Sequence, residues 1–141
     1  MRRKWKGYIV FVLAAILLFV NTTLVNAANT NSFFTSTASY SYSGYLSIQK
    51  TSSIEYTARA SMTSAAFISN EDSDSISFWG RVYSAPGNVT GYLSAYAYAR
   101  PETTSISDSC TRTVMYSAEV SFYSGTSAVG TPLRTLMVDN F

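Results

Sequence analysis

The stretch ISFWGRVYSAPGNVTGYLSAYA, residues 76–97, decides the fold. Ala85-Pro86-Gly87-Asn88 at its centre is a turn: Pro presets φ for the second position of a β-turn, and Gly suits the third. Folding the chain back about that turn pairs residues whose numbers sum to 173. Val82 then meets Gly91, Gly80 meets Leu93, Phe78 meets Ala95 and Ile76 meets Ala97. On the other face Tyr83 meets Thr90, Arg81 meets Tyr92, Trp79 meets Ser94 and Ser77 meets Tyr96. One register gathers small and aliphatic groups on one face and aromatics on the other. A slip of one residue would mix the faces, so the pattern specifies its own pairing.

The same period-two alternation recurs on both sides of this hairpin. Ile54, Tyr56, Ala58, Ala60 and Met62 share a face, as do Tyr40, Tyr42, Leu46 and Ile48. Val114, Tyr116, Ala118, Val120 and Phe122 share another, and residues 129–138 read as a final strand of mixed parity. Residues 101–109 read as a loop or edge segment, and residues 124–127 as a further turn. Thr, Tyr, Val and Ile are common where Leu, Glu, Lys and Gln are scarce, so propensity also favours strands. The expectation is an all-β fold, a small antiparallel β-sandwich of about six or seven strands over residues 40–141. Residues 28–39 form a polar N-terminal segment expected to fray, although Phe33 and Phe34 are placed to pin a short strand.

The first 27 residues have a different composition. Arg2, Arg3, Lys4 and Lys6 precede the apolar run Tyr8 to Val20, which leads to the small-residue site Val25-Asn26-Ala27. This is the layout of a secretory signal peptide, cleaved after Ala27, and the run is short for a membrane span. The expected localisation is therefore extracellular, with membrane contact only through the signal peptide. Secretion with a single cysteine suits a bacterium.

The overall charge of +2 belongs to that leader. Beyond it, six dispersed basic residues stand against eight acidic ones, a net −2, with no basic cluster for nucleic acid. The chain has no histidine, which excludes His-based acid–base catalysis, His-activated nucleophiles and His-ligated metals. The lone Cys110 excludes an internal disulfide framework and reads as a small buried hydrophobe, with an intermolecular disulfide as the functional alternative. Glu71, Asp72 and Asp74 offer oxygens for calcium, but the EF-hand spacing is broken by Ile76 and Ser77, which favours a solvated loop. Glu55, Glu102, Asp108 and Glu119 are isolated in sequence, so no glycosidase pair is indicated. Asn88-Val89-Thr90 is a glycosylation sequon, relevant only in a eukaryotic secretory pathway. No cofactor is expected.

Val120-Ser121-Phe122-Tyr123-Ser124-Gly125-Thr126-Ser127-Ala128-Val129-Gly130-Thr131 resembles the late hairpin of bacterial immunoglobulin-like domains. There an aromatic-rich strand, a Gly turn and a Val-Gly-Thr strand follow one another. The resemblance implies an immunoglobulin-like sandwich and no particular function; the Cys…Trp…Cys framework is absent.

The candidate ligand-binding residues are Trp79, Arg81, Tyr83, Tyr92, Tyr96 and Tyr98, all on one face of the hairpin. If exposed, they form a flat platform on which sugar rings stack, with Arg81 beside Tyr92 in cation–π contact. If covered, they are an inner wall of the sandwich, and large aromatic area favours that reading. The chain is thus expected to be a small secreted, non-enzymatic β-sandwich protein. Its first expected role is binding of cell-wall or surface polysaccharide. A toxin or bacteriocin-like protein acting on membranes is the rival, since alternating strands also suit a barrel wall. A structural envelope component is the third reading. The oligomeric state is open.

Overall fold

Gly87 adopts a φ of 73°, a left-handed conformation that glycine takes at little cost, and with Pro86 it turns the chain between two long strands. The computed structural model describes residues 28–66, 75–98, 103–124 and 130–141. The strands on either side of the turn are β4 (Ser75–Ala85) and β5 (Asn88–Tyr98). Their pairing is the one the residue pattern specifies, with Val82 on Gly91, Gly80 on Leu93, Phe78 on Ala95, Trp79 on Ser94 and Arg81 on Tyr92. The one departure is next to the turn, where a shift in register sets Tyr83 opposite Val89 rather than Thr90.

The other strands are β1 (Asn29–Ser36), β2 (Tyr40–Lys50), β3 (Tyr56–Ala66), β6 (Thr104–Arg112), β7 (Ser117–Ser124) and β8 (Arg134–Asp139). They form two four-stranded antiparallel sheets. Sheet A has the order β1-β2-β3-β6 and sheet B the order β5-β4-β7-β8. The chain is all-β with two facing sheets, a β-sandwich, and no helix occurs among the described residues.

The strand boundaries correct the sequence reading in three places. Residues 29–36 are no frayed tail; β1 pairs along its length with β2, because Phe33 is buried against Phe122 with ring centroids 5.1 Å apart. Ile54 lies in the β2–β3 turn and is exposed, so the alternating run begins in effect at Tyr56. Val114 is likewise exposed, ahead of β7, and Met115 takes the buried position instead. The segment at 101–109 is the edge strand β6 from Thr104 onward. Residues 1–27, the acidic loop at 71–74 and the turn at 125–127 lie outside the described residues.

Both sheets supply the core, sheet A through residues such as Tyr42, Leu46, Ile48 and Met62, and sheet B through Ile76, Phe78, Val82, Leu93, Val120 and Phe122. Phe122 sits between the sheets, touching Phe33 of β1 and Phe78 of β4 at 5.1 and 5.6 Å. Cys110 is a buried free thiol in this core.

The sandwich is sewn at both sides. β5 runs beside β6, and β1 beside β8. Asp108 Oδ2 accepts the Ser94 backbone N–H at 2.9 Å, and Arg112 Nε donates to the Thr90 carbonyl at 2.9 Å. On the opposite side Asn29 and Asn31 donate through Nδ2 to the carbonyls of Asp139 and Met137, at 2.8 and 3.3 Å. Polar side chains at inward positions of the edge strands thus occupy backbone groups that an open edge would offer to another chain.

Candidate functional site

The hairpin's aromatic face points outward, away from sheet A. Trp79 is 39% exposed, Tyr92 58%, Tyr96 46% and Tyr98 63%, while Tyr83 is half-buried. This overturns the inner-wall reading favoured from sequence. The physical reason lies in sheet A: its own tyrosines, leucine, isoleucine and methionine meet Ile76, Phe78, Val82 and Leu93 of the hairpin's inner side and complete the core, which leaves the tryptophan and tyrosine face outside. All six candidates therefore share the outer face of sheet B.

The pairings set these side chains in rows across the sheet. Tyr96, Ser77 and Tyr123 form one row, Ser94, Trp79, Ser121 and Thr135 the next, and Tyr92, Arg81, Glu119 and Met137 the third. Trp79 and Tyr92 are stacked, their centroids 6.0 Å apart and their planes 29° from parallel. Arg81 lies 4.9 Å from the Trp79 ring centroid, so its cation–π contact is with the indole rather than with Tyr92. An indole is the stronger partner for a cation. Tyr96 and Tyr98 meet edge to face at 5.5 Å.

Tyr123 was missed in the sequence reading because its row is completed by β7, a pairing that no local pattern announces. Hydroxyls fill the spaces between rings: Ser121 and Thr135 share a hydrogen bond of 2.8 Å, and the buried Ser77 Oγ has no partner among the described residues. The hydrogen bond with Tyr98, partial desolvation and charge repulsion from Tyr98 raise the Tyr96 phenol above its usual 10.0, against a smaller downward pull from Ser75. It is a neutral donor and acceptor at ordinary pH.

Among the described residues the scattered carboxylates do not converge. Glu55 lies in the exposed β2–β3 turn, Asp108 holds the β5–β6 seam and Glu119 lies on the outer face of sheet B; Glu102 is outside the described residues. No group of three or more His, Cys, Asp or Glu suited to a metal ion occurs among the described residues. What the face offers is flat ring area bordered by hydroxyls, the Arg81 guanidinium and the Glu119 carboxylate, which suits stacking and hydrogen bonding to a polyhydroxylated ring. No family model, no curated protein and no solved structure matches the chain.

Proposed function

We propose that the protein is a secreted, non-enzymatic binding module whose platform of Trp79, Tyr92, Tyr96 and Tyr98 stacks on the rings of a cell-wall or surface polysaccharide. The observation that carries the reading is the outward exposure of the stacked Trp79–Tyr92 pair with Arg81 set over it. Contiguous exposed aromatic area on a sheet face marks an interaction surface more often than chance. The same exposure favours a binding role over a purely structural envelope role, in which the face would be covered. The period-two alternation behind the membrane-acting alternative is accounted for by burial in the sandwich core.

Sedimentation with insoluble wall polysaccharide tests the reading. The purified protein is expected to co-sediment, and Trp79→Ala and Tyr92→Ala to stay in solution while keeping their strand signal in circular dichroism. Unchanged sedimentation of both variants would remove the platform from the binding surface.

The immunoglobulin-like likeness is carried by the two-sheet architecture. In an immunoglobulin constant-type sandwich the first two strands share a sheet with the fifth and fourth. Here β1 and β2 share theirs with β3 and β6, so the proposal extends to a secreted sandwich and not to that strand order.

A further inference from the structure

The outer face of sheet A, on the opposite side of the molecule, is a carpet of hydroxyls. Ser32, Ser43, Ser47, Ser61, Thr63, Ser105, Ser107 and Ser109 occupy its outward positions, and Thr63 bonds Ser105 at 2.9 Å, as Thr57 bonds Thr111. Two larger side chains rise from it at its centre, Tyr45 and Arg59. Tyr45 is 39% exposed and Arg59 is exposed. Tyr45 pairs with Ser61 and Arg59 with Ser47, which makes them diagonal neighbours across β2 and β3, roughly 7 Å apart at the backbone. That is about the width of one sugar ring.

Both line a shallow concavity of about 340 Å³ with Ser107, Asp108 and Ser109. A second concavity of about 420 Å³ adjoins it on the other side of Tyr45, bordered by Ser43, Ser61 and Thr63. Arg59 carries the only formal charge among the outward positions of the four strands. Its guanidinium makes no hydrogen bond or ion pair with a described residue. Asp108 lines the same concavity but makes no ion pair with Arg59: its two oxygens accept the backbone N–H groups of Ser94 and Ser109, each at 2.9 Å.

We propose that this face holds a second glycan site, separate from the aromatic platform, that takes a carboxylated sugar residue of an acidic polysaccharide. The ring stacks on Tyr45, the carboxylate enters the fork of Arg59, and the serine and threonine hydroxyls bond the ring hydroxyls. A guanidinium matches a carboxylate with two parallel hydrogen bonds. A single guanidinium among the hydroxyls of the outward positions, its neighbour Asp108 turned to the backbone of Ser94 and Ser109, matches one carboxylate at a time. It does not match a phosphate polymer, whose binders gather many cations.

Isothermal titration calorimetry with oligomers of polygalacturonate and of alginate tests the site, with the carboxyl-reduced oligomers and dextran sulfate as comparisons. The protein is expected to bind at least one uronate and to lose that binding when the carboxyl is reduced. Arg59→Gln is expected to weaken uronate binding about tenfold, the factor equivalent to 1.4 kcal/mol. Tyr45→Ala is expected to do the same, and Tyr45→Phe to bind as the wild type does. Arg59 is an exposed position, so its glutamine variant tests binding without endangering the fold. The proposal is overturned by absence of binding to both uronates, by equal binding of the reduced oligomers, or by unchanged affinity in Arg59→Gln. Dextran sulfate bound as tightly as the uronates overturns it too, since charge alone would then suffice.

Discussion

The Arg81 guanidinium carbon lies 4.9 Å from the centroid of the Trp79 ring, and that ring is itself stacked on Tyr92 at 6.0 Å. Three side chains on two strands thus restrict one another before any ligand arrives. Ordering rotamer-rich side chains is a main cost of association, so mutual restriction of this kind favours binding. It also leaves part of the indole facing solvent, which has a measurable consequence.

In the protein without residues 1–27, Trp79 is the sole tryptophan. Its emission is expected to be that of a partly solvated indole, quenched readily by acrylamide. Trp79→Ala is expected to lower stability by less than about 1 kcal/mol, as for side chains outside the core. A blue-shifted emission shielded from acrylamide would contradict the outward orientation.

Phe122 presents the opposite case. It is fully buried and touches rings from both sheets, Phe33 and Phe78. Phe122→Ala is expected to cost about 3–5 kcal/mol in urea unfolding, through lost transfer energy and the cavity left behind. A loss similar to that of Trp79→Ala would mean that the sheets do not meet at this ring.

The difference between these two aromatics marks how far the sequence could be read. The β4–β5 register was legible because turn chemistry and facial segregation pointed to one pairing. Which face was inward was not legible, because that depends on what the other sheet contributes. Tyr42, Leu46 and Met62 fill the core from sheet A, and this balance exists only after both sheets assemble. The full length of β1 is hidden in its polar sequence, where Phe33 and Phe34 alone hint at a strand, because its seam-facing residues are Asn29 and Asn31, whose partners on β8 lie more than a hundred residues away. Tyr123 escaped notice for the same reason, joining the aromatic face through a β4–β7 pairing of distant segments.

Tyr96 and Tyr98 give a prediction in alkaline solution. The hydrogen bond to Tyr98 is the largest cause of the raised Tyr96 pKa, so Tyr98→Phe is expected to bring its ionisation back toward 10.0. The folded state holds this proton more tightly than the unfolded chain. Its contribution to stability is therefore fully present below about 10 and is lost as pH rises through the raised folded value. Carbon NMR of labelled tyrosine reads the titration directly, and a Tyr96 resonance unmoved by Tyr98→Phe would remove Tyr98 as the cause.

Cys110 is a free thiol in the core, where a methyl group added at Gly91 would lie 2.5 Å from its sulfur. Its reaction with a disulfide reagent is expected to be slow in the native protein and fast in denaturant, with no disulfide dimer on non-reducing gels. Rapid native labelling, or a dimer that collapses with reductant, would place the thiol at the surface.

The last prediction concerns the seam between β5 and β6. Asp108 reaches across it to accept the Ser94 N–H at 2.9 Å, while its other oxygen takes the N–H of Ser109. Removing the carboxylate leaves two backbone donors without these partners. Because water can reach this edge, Asp108→Ala is expected to cost about 1 kcal/mol rather than the larger penalty of a buried orphan donor. Asp108→Asn keeps one acceptor oxygen and is expected to cost less. The local effect should exceed the global one: amide exchange at Ser94 should quicken more in Asp108→Ala than the loss of stability alone explains. A freed β5 edge also offers its backbone to other copies of the chain, so Asp108→Ala should self-associate at concentrations where the parent stays monodisperse in light scattering. If Ser94 exchange and light scattering both match the parent, the side-chain stitch is dispensable, and packing alone closes the sandwich at that side.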